Sequence, residues 1–156
     1  MKKRRKRHDV IRAIIRKQEI RTQRDLVDAL RKLGYECTQA TVSRDINDMG
    51  LEKAEGGVYM LQEDLHLKRL AVDLILDVTS VENFVIVKTR QGMAQGVAAA
   101  IDSARLDDIL GTIAGDDTIL MIAAHASQAG VAAKMLNELR SITKSTSVKA
   151  DVIFDD

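Results

Sequence analysis

The sequence predicts an α+β protein in two parts: an N-terminal winged helix-turn-helix, and a C-terminal α/β domain with one antiparallel sheet and two helices. Three observations carry this. Charge is segregated: residues 1–62 hold 15 Lys+Arg against 9 Asp+Glu, and residues 63–156 hold 9 against 14. Apolar periodicity changes along the chain, from helical spacing near the start to alternation beyond Val72. Finally, Gly111-Thr112-Ile113-Ala114-Gly115-Asp116-Asp117-Thr118 sits between two apolar runs and reads as strand, turn, strand. A basic half joined to an acidic half suggests two jobs, with a polyanion as partner of the first.

The 156 residues are 46% hydrophobic and 30% charged, with no proline or tryptophan, enough for packed cores. Cys37 is the single cysteine, which excludes an intramolecular disulfide and most cysteine-based metal sites. The basic start imitates the charged region of a signal peptide, but Arg12, Arg16 and Lys17 interrupt the apolar segment that such a peptide needs next. No run approaches transmembrane length. The expectation is a soluble cytoplasmic protein that makes no membrane contact.

Lys2-Lys3-Arg4-Arg5-Lys6-Arg7 is a block of cations of the kind usually solvated and disordered. Beside a DNA-binding fold it would add salt-sensitive phosphate contacts. A first helix comes next, with Val10, Ile11, Ile14 and Ile15 on one face. Thr22-Gln23-Arg24-Asp25 fits a capping box, and Leu26, Val27, Leu30 and Leu33 then recur at helical spacing up to Gly34. Thr38 caps a third helix that stops at Gly50.

At about 100° per residue, Val42, Ile46 and Met49 form the buried stripe of that third helix. Ala40, Ser43, Arg44 and Asn47 face outward, a short polar sector with one arginine. Two readings fit: a recognition helix shaped for the major groove, or the solvated face of a plain three-helix core. Leu51–Glu55 and Val58–Leu61, joined by Gly56-Gly57, read as a hairpin with a two-residue turn. Directly after a helix-turn-helix such a hairpin reads as a wing, with Lys53 a candidate phosphate contact, or as strands that simply complete the small core.

Gln62 to Arg69 is a polar link, partly helical, that marks the boundary. Alternation of Val72, Leu74, Leu76 and Val78 predicts a strand, and Phe84-Val85-Ile86-Val87 a second. A helix from Met93 to Ala104 comes after them, with Met93, Val97 and Ile101 inward and Gln95 and Asp102 sharing the opposite face, flanked by Ala98 and Ala99. Ile109–Ala114 and Thr118–Ala124 are the next strands, and Gly115 is free to take a positive φ between them. Ser127 caps a last helix lined by Val131, Met135, Leu136 and Leu139. Val148, Ala150, Val152 and Phe154 alternate as a short final strand. Two strand pairs, each followed by a helix, predict one sheet with helices on one face.

The Asp116-Asp117 turn has two readings of its own: an ordinary hairpin turn, or an anionic pocket for a cationic ligand. A metal-dependent enzyme using Asp102, Asp107, Asp108, Asp116 and Asp117 as oxygen ligands, with His125 nearby, is the competing class. It lacks a nucleophile motif.

Thr41-Val42-Ser43-Arg44-Asp45-Ile46, Gly92 through Asp102, and Gly111 through Thr118 together resemble the bacterial arginine repressor family, over nearly the whole chain and in the same order. The resemblance implies a DNA-binding domain over residues 1–66 and an arginine-binding oligomerisation domain over residues 70–156. It implies trimers that pair into a homo-hexamer, with L-arginine as corepressor between the trimers, and no enzymatic activity and no cofactor. By position, Ser43 and Arg44 correspond to the DNA-contacting pair, with Gln39, Thr41, Asn47 and Lys53 beside them. Gln95, Asp102, Asp116, Asp117 and Thr118 correspond to the arginine site; no metal site is implied. Residues 1–7 are more basic than the family pattern requires. The effector's identity among basic amino acids stays open on the residues alone.

Overall fold

The computed structural model describes residues 2–141, so the strand expected over Val148–Phe154 lies outside the described residues. The chain divides into two compact units, Met1–Leu65 and a second beginning at His66.

The first unit holds α1 (Lys2–Lys17), α2 (Gln23–Lys32), α3 (Gln39–Met49) and a hairpin of β1 (Glu52–Lys53) and β2 (Tyr59–Met60). Its core gathers Ile11, Ile14 and Ile15 of α1, Leu26, Val27 and Leu30 of α2, Val42 and Ile46 of α3, and Leu51, Tyr59 and Leu61. The helix boundaries are set by local chemistry. The Thr22 hydroxyl accepts from the Asp25 N–H (3.1 Å) while the Asp25 carboxylate accepts from the Thr22 N–H (3.0 Å), the reciprocal pair the sequence predicts. Thr38 accepts from the Thr41 N–H, and Gly50 ends α3 in the left-handed conformation (φ +64°).

Two expectations change here. Lys2–Arg7 is not a disordered tail; it forms the first turns of α1. The hairpin turn is longer than two residues, because Ala54 N–H bonds Val58 O (2.8 Å) and leaves Glu55, Gly56 and Gly57 as the loop. Gly56 and Gly57 both carry positive φ, which is why glycines stand there.

α4 (Gln62–Leu74) comes next, and it absorbs the first half of the strand expected at Val72 and Leu74. Leu67 and Ala71 are buried in the second core, with Leu70 and Leu74 packed against it, a 3.6-residue spacing that outweighs the alternation from Val72. The second unit is built on a four-stranded antiparallel sheet of β3 (Ile75–Val81), β4 (Phe84–Thr89), β5 (Ile109–Ala114) and β6 (Thr118–Ala123), in the order β3-β4-β6-β5. Val85 pairs with Met121, and Ile113 with Leu120.

α5 (Ala94–Ala104) and α6 (Ala126–Ser141) pack on the sheet and bury Val85, Val87, Ile119, Met121 and Ala123 beneath them. α6 approaches through Ala129, Ala132, Ala133 and Leu136, so the large Val131 expected inward is 70% exposed instead. Small side chains at i, i+3 and i+4 let that helix sit close, and Val131 falls off their stripe. Ser127 lies inside α6 and does not cap it. Met93, also expected inward, precedes α5 and is 44% exposed.

The uncovered side of the sheet is apolar. Val81, Phe84 and Ile122 lie on one cross-strand row, and Ile86, Leu120 and Ile113 on the next. Among the described residues no helix is long and apolar enough to cross a membrane.

Candidate functional site

The side chains singled out in the sequence gather at two places in the fold. The first is α3. Its inward stripe is Val42 and Ile46, with Met49 half-buried, as the wheel predicts. Gln39, Ala40, Arg44 and Asn47 are exposed, and Ser43 is half-buried at the edge of the same strip. Thr41 is different: its hydroxyl lies 3.0 Å from that of Thr38, within the cap. Lys53 stands on β1 with its ammonium 5.2 Å from the Tyr59 ring centroid, a cation–π contact that leaves the side chain exposed.

The wheel misses Asp45. It faces inward, 1% exposed, and α1 supplies its partners. Arg7 donates from Nε to Oδ2 (2.5 Å) and from Nη2 to Oδ1 (2.9 Å), and His8 Nε2 lies 2.9 Å from Oδ1. Burial pushes the Asp45 carboxyl up, but the hydrogen bonds and charges of Arg7 and His8 outweigh it and hold the group below the usual carboxylate range. The same pair raises the Arg7 guanidinium, chiefly through the hydrogen bond to Asp45. One turn on, Arg4 pairs with Asp48. The sequence signal for this lock is only the acidic pair Asp45 and Asp48 opposite a basic run; their partners lie some forty positions upstream.

The second place is the end of the sheet where β5 turns into β6. The Gly115 N–H donates to Thr118 O (2.9 Å), leaving Asp116 and Asp117 as the tip. Gly115 does not use a positive φ, contrary to expectation; a two-residue tip closed by that hydrogen bond needs none there. The tip is tied down by its own carbonyls. Ala94 N–H donates to Asp116 O (3.2 Å) and Thr89 N–H to Asp117 O (2.8 Å). The start of α5 and the acidic turn are thereby held together, and Gln95 directly follows the anchored Ala94.

The side chains form a short relay. Lys88 Nζ donates to Thr118 Oγ1 (2.7 Å), which donates to Asp117 Oδ1 (2.9 Å). Asp102 lies two helical turns beyond Gln95, with its carboxylate accepting from Thr112 Oγ1 at 2.9 and 3.1 Å. Gln95, Asp102, Asp116 and Asp117 are all exposed, and Thr118 is half-buried. Ala99 flanks the Gln95–Asp102 face in the open, whereas Ala98 is buried. Lys88 and Thr112 are contacts that sequence reading misses: Lys88 reaches Thr118 across the β4–β6 pairing, and Thr112 of β5 reaches Asp102 on α5.

The carboxylates proposed for a metal centre do not gather. Among the described residues the one acidic group with metal-ligating spacing is His8, Asp45 and Asp48, and there the Arg7 guanidinium already holds both Asp45 oxygens.

Similarity to known proteins divides the chain in the same way. Residues 1–66 match the family described as "Arginine repressor, DNA binding domain", which places the chain among DNA-binding regulators. Residues 71–138 match "Arginine repressor, C-terminal domain". The arginine repressor of Pelotomaculum thermopropionicum is 43% identical over 150 residues, covering 89% of this chain and 98% of the relative. That of Thermus thermophilus is 46% identical over 128 residues, 75% of this chain and 78% of the relative. The arginine repressor of Bacillus velezensis is 43% identical over 126 residues, 74% and 85% respectively. The chain belongs to the arginine repressor family.

Proposed function

We propose that the chain works in the cytoplasm as a homo-hexamer of two trimers, which binds operator DNA and takes L-arginine between the trimers. Membership of the family makes it an arginine-responsive, DNA-binding repressor, and that family is one of regulators rather than enzymes. Residues 1–66 serve as the winged helix-turn-helix, with α3 in the major groove and the β1–β2 hairpin as the wing. Ser43, Arg44 and Asn47, with Gln39 at the start of the helix, contact the operator; Thr41 supports them through the cap, and Lys53 reaches a phosphate.

The observation that carries the ligand site is the anchoring of the acidic turn to the start of α5. It sets Gln95 beside the Asp116–Asp117 tip and leaves Asp102 further along the same helix. A guanidinium offers five donors in a plane and pairs bidentately with a carboxylate. Free arginine also carries an ammonium for a second carboxylate and a carboxylate for the Gln95 amide. Thr118 and Lys88 fix the Asp117 carboxylate in one orientation, and Thr112 does the same for Asp102.

Every one of these carboxylates faces water in the single chain, so a ligand here would be walled on one side. Small-molecule sites bury most of their ligand. A second subunit supplies the missing wall, which is the physical reason to place the site between subunits. The apolar outer face of the sheet, with Ile113 65% and Val81 52% exposed, supports assembly by the same logic. Arginine that binds best to the assembled form stabilises it by mass action, and by linkage it strengthens operator binding equally.

The test is light scattering of the purified protein with L-arginine and with L-lysine, followed by DNA binding under both conditions. Arginine-selective formation or stabilisation of a hexamer, with tighter binding to operator DNA, is expected. A monomer indifferent to every amino acid would overturn the reading.

A further inference from the structure

We propose that the first two turns of α1 are a phosphate-binding arm, locked to the flank of α3 and reaching the DNA backbone beside the base-contacting strip. This rests on the DNA-binding reading above and adds an element to it.

Six consecutive cations, Lys2 to Arg7, lie in the first turns of a regular helix whose first turn holds no acidic residue. That arrangement opposes the helix dipole and sets like charges one turn apart, so it lowers the stability of the very segment that carries it. Part of the block has a use within the fold. At about 100° per residue, Arg4, Arg7 and His8 lie on the same side of α1 as the buried Ile11, Ile14 and Ile15. All three are engaged by α3: Arg7 and His8 by Asp45, and Arg4 by Asp48. Asp45 directly follows Arg44, and Asp48 is one turn beyond it, so α1 is fastened along the flank of the helix that reads DNA.

Lys2, Lys3, Arg5 and Lys6 have no such use. They occupy the remaining sector of α1, all are exposed, and among the described residues none has an ion-pair partner. Asp9 is the sole acid in that sector of the first two turns. Four unpaired cations, held in place by a buried carboxylate lock, form a fixed positive surface rather than a floating tail. Fixed cations lose less side-chain and backbone freedom on binding than a disordered tail would. The ligand that suits such a surface next to α3 is a row of phosphodiesters, which it contacts without reading sequence.

The experiment compares the whole protein with the quadruple variant Lys2→Gln, Lys3→Gln, Arg5→Gln, Lys6→Gln in saturating L-arginine. The probes are a random-sequence duplex and a duplex that the wild type has selected from a random pool, titrated over a range of potassium chloride. Both duplexes should weaken by the same factor, and the slope of log Kd against log salt should fall by about 0.9 for each phosphate that the variant no longer neutralises. Circular dichroism, oligomeric state and L-arginine affinity should stay as in the wild type. The single variant Asp9→Asn, which removes the opposing charge, should tighten both duplexes. An unchanged salt slope in the quadruple variant, or a weakening confined to the selected duplex, overturns the arm. A wild type that prefers no duplex at all refutes the DNA-binding reading instead, so the two failures are distinguishable.

Discussion

Replacing Asp45 by asparagine tests the buried lock between α1 and α3 most directly. The carboxylate is 1% exposed and receives two guanidinium hydrogen bonds and the His8 ring nitrogen. Asparagine keeps the shape, removes the charge, and turns one acceptor into a donor facing other donors. Breaking a fully buried ion pair costs about 3–5 kcal/mol, whereas a hydrogen bond to a charged group contributes about 1.5–3 kcal/mol. The lower range applies, because the Arg7 side chain is 18% exposed and sits on a surface helix, free to turn back to water. A loss of about 2 kcal/mol in the first unit would lower its melting temperature by about 10 °C, given the steep dependence in domains this small.

The assay has a built-in reporter. Both tyrosines, Tyr35 and Tyr59, belong to the core of the first unit and the chain has no tryptophan, so tyrosine fluorescence tracks that unit alone. The pH dependence supplies a second check. The Asp45 carboxyl is held below its ordinary value, so its contribution is present above the unfolded-state pKa and is lost as pH falls through the folded one. The gap between wild type and variant should be complete at neutral pH, should begin to close as the pH drops below about 4, and should vanish below the folded-state value. Equal fluorescence transitions at neutral pH, or a gap that persists on acidification, would refute the reasoning.

The other expectations concern the two functions and the second core. Arg44→Ala should weaken specific operator binding by about 1–3 kcal/mol while the oligomer is unchanged, measured by gel shift and light scattering. Asp117→Asn should reduce L-arginine affinity by calorimetry far more than it shifts thermal unfolding, since the side chain is exposed and its hydrogen bond is to the Thr118 hydroxyl beside it. Ile113→Asp sets a charge on the uncovered sheet face at a site already 65% exposed, so it should abolish assembly in sedimentation while the single chain stays folded. Leu136→Ala removes a fully buried side chain of α6 and should destabilise the second unit by about 2–5 kcal/mol in urea unfolding.

Legibility in the sequence depends on the range of the interactions. Features set within a few residues are readable: the Thr22–Asp25 box, the Thr38 cap, the Gly50 stop, and the strands that meet at Asp116-Asp117. Short apolar patterns mislead where two periods overlap. Val72, Leu74, Leu76 and Val78 alternate, yet Leu67, Leu70, Ala71 and Leu74 also recur at helical spacing, and the helix runs on to Leu74 because the second core buries that stripe. In α6 Met135, Leu136 and Leu139 pack inward as their spacing suggests, but Val131 does not, and the small Ala129, Ala132 and Ala133 meet the core in its place.

The sequence by itself determined the division into a basic and an acidic half, the outward strip of α3, the shared face of Gln95 and Asp102, and, through resemblance, the family. These are properties of charge, local capping and helix geometry, which need no distant partner. Only the tertiary structure decided that Asp45 is buried, that a cationic segment folds as a helix against it, and that the acidic turn is bound through its carbonyls to the start of α5. Each depends on groups far apart in the chain, and no local pattern encodes which distant donor meets a given acceptor once the cores have closed.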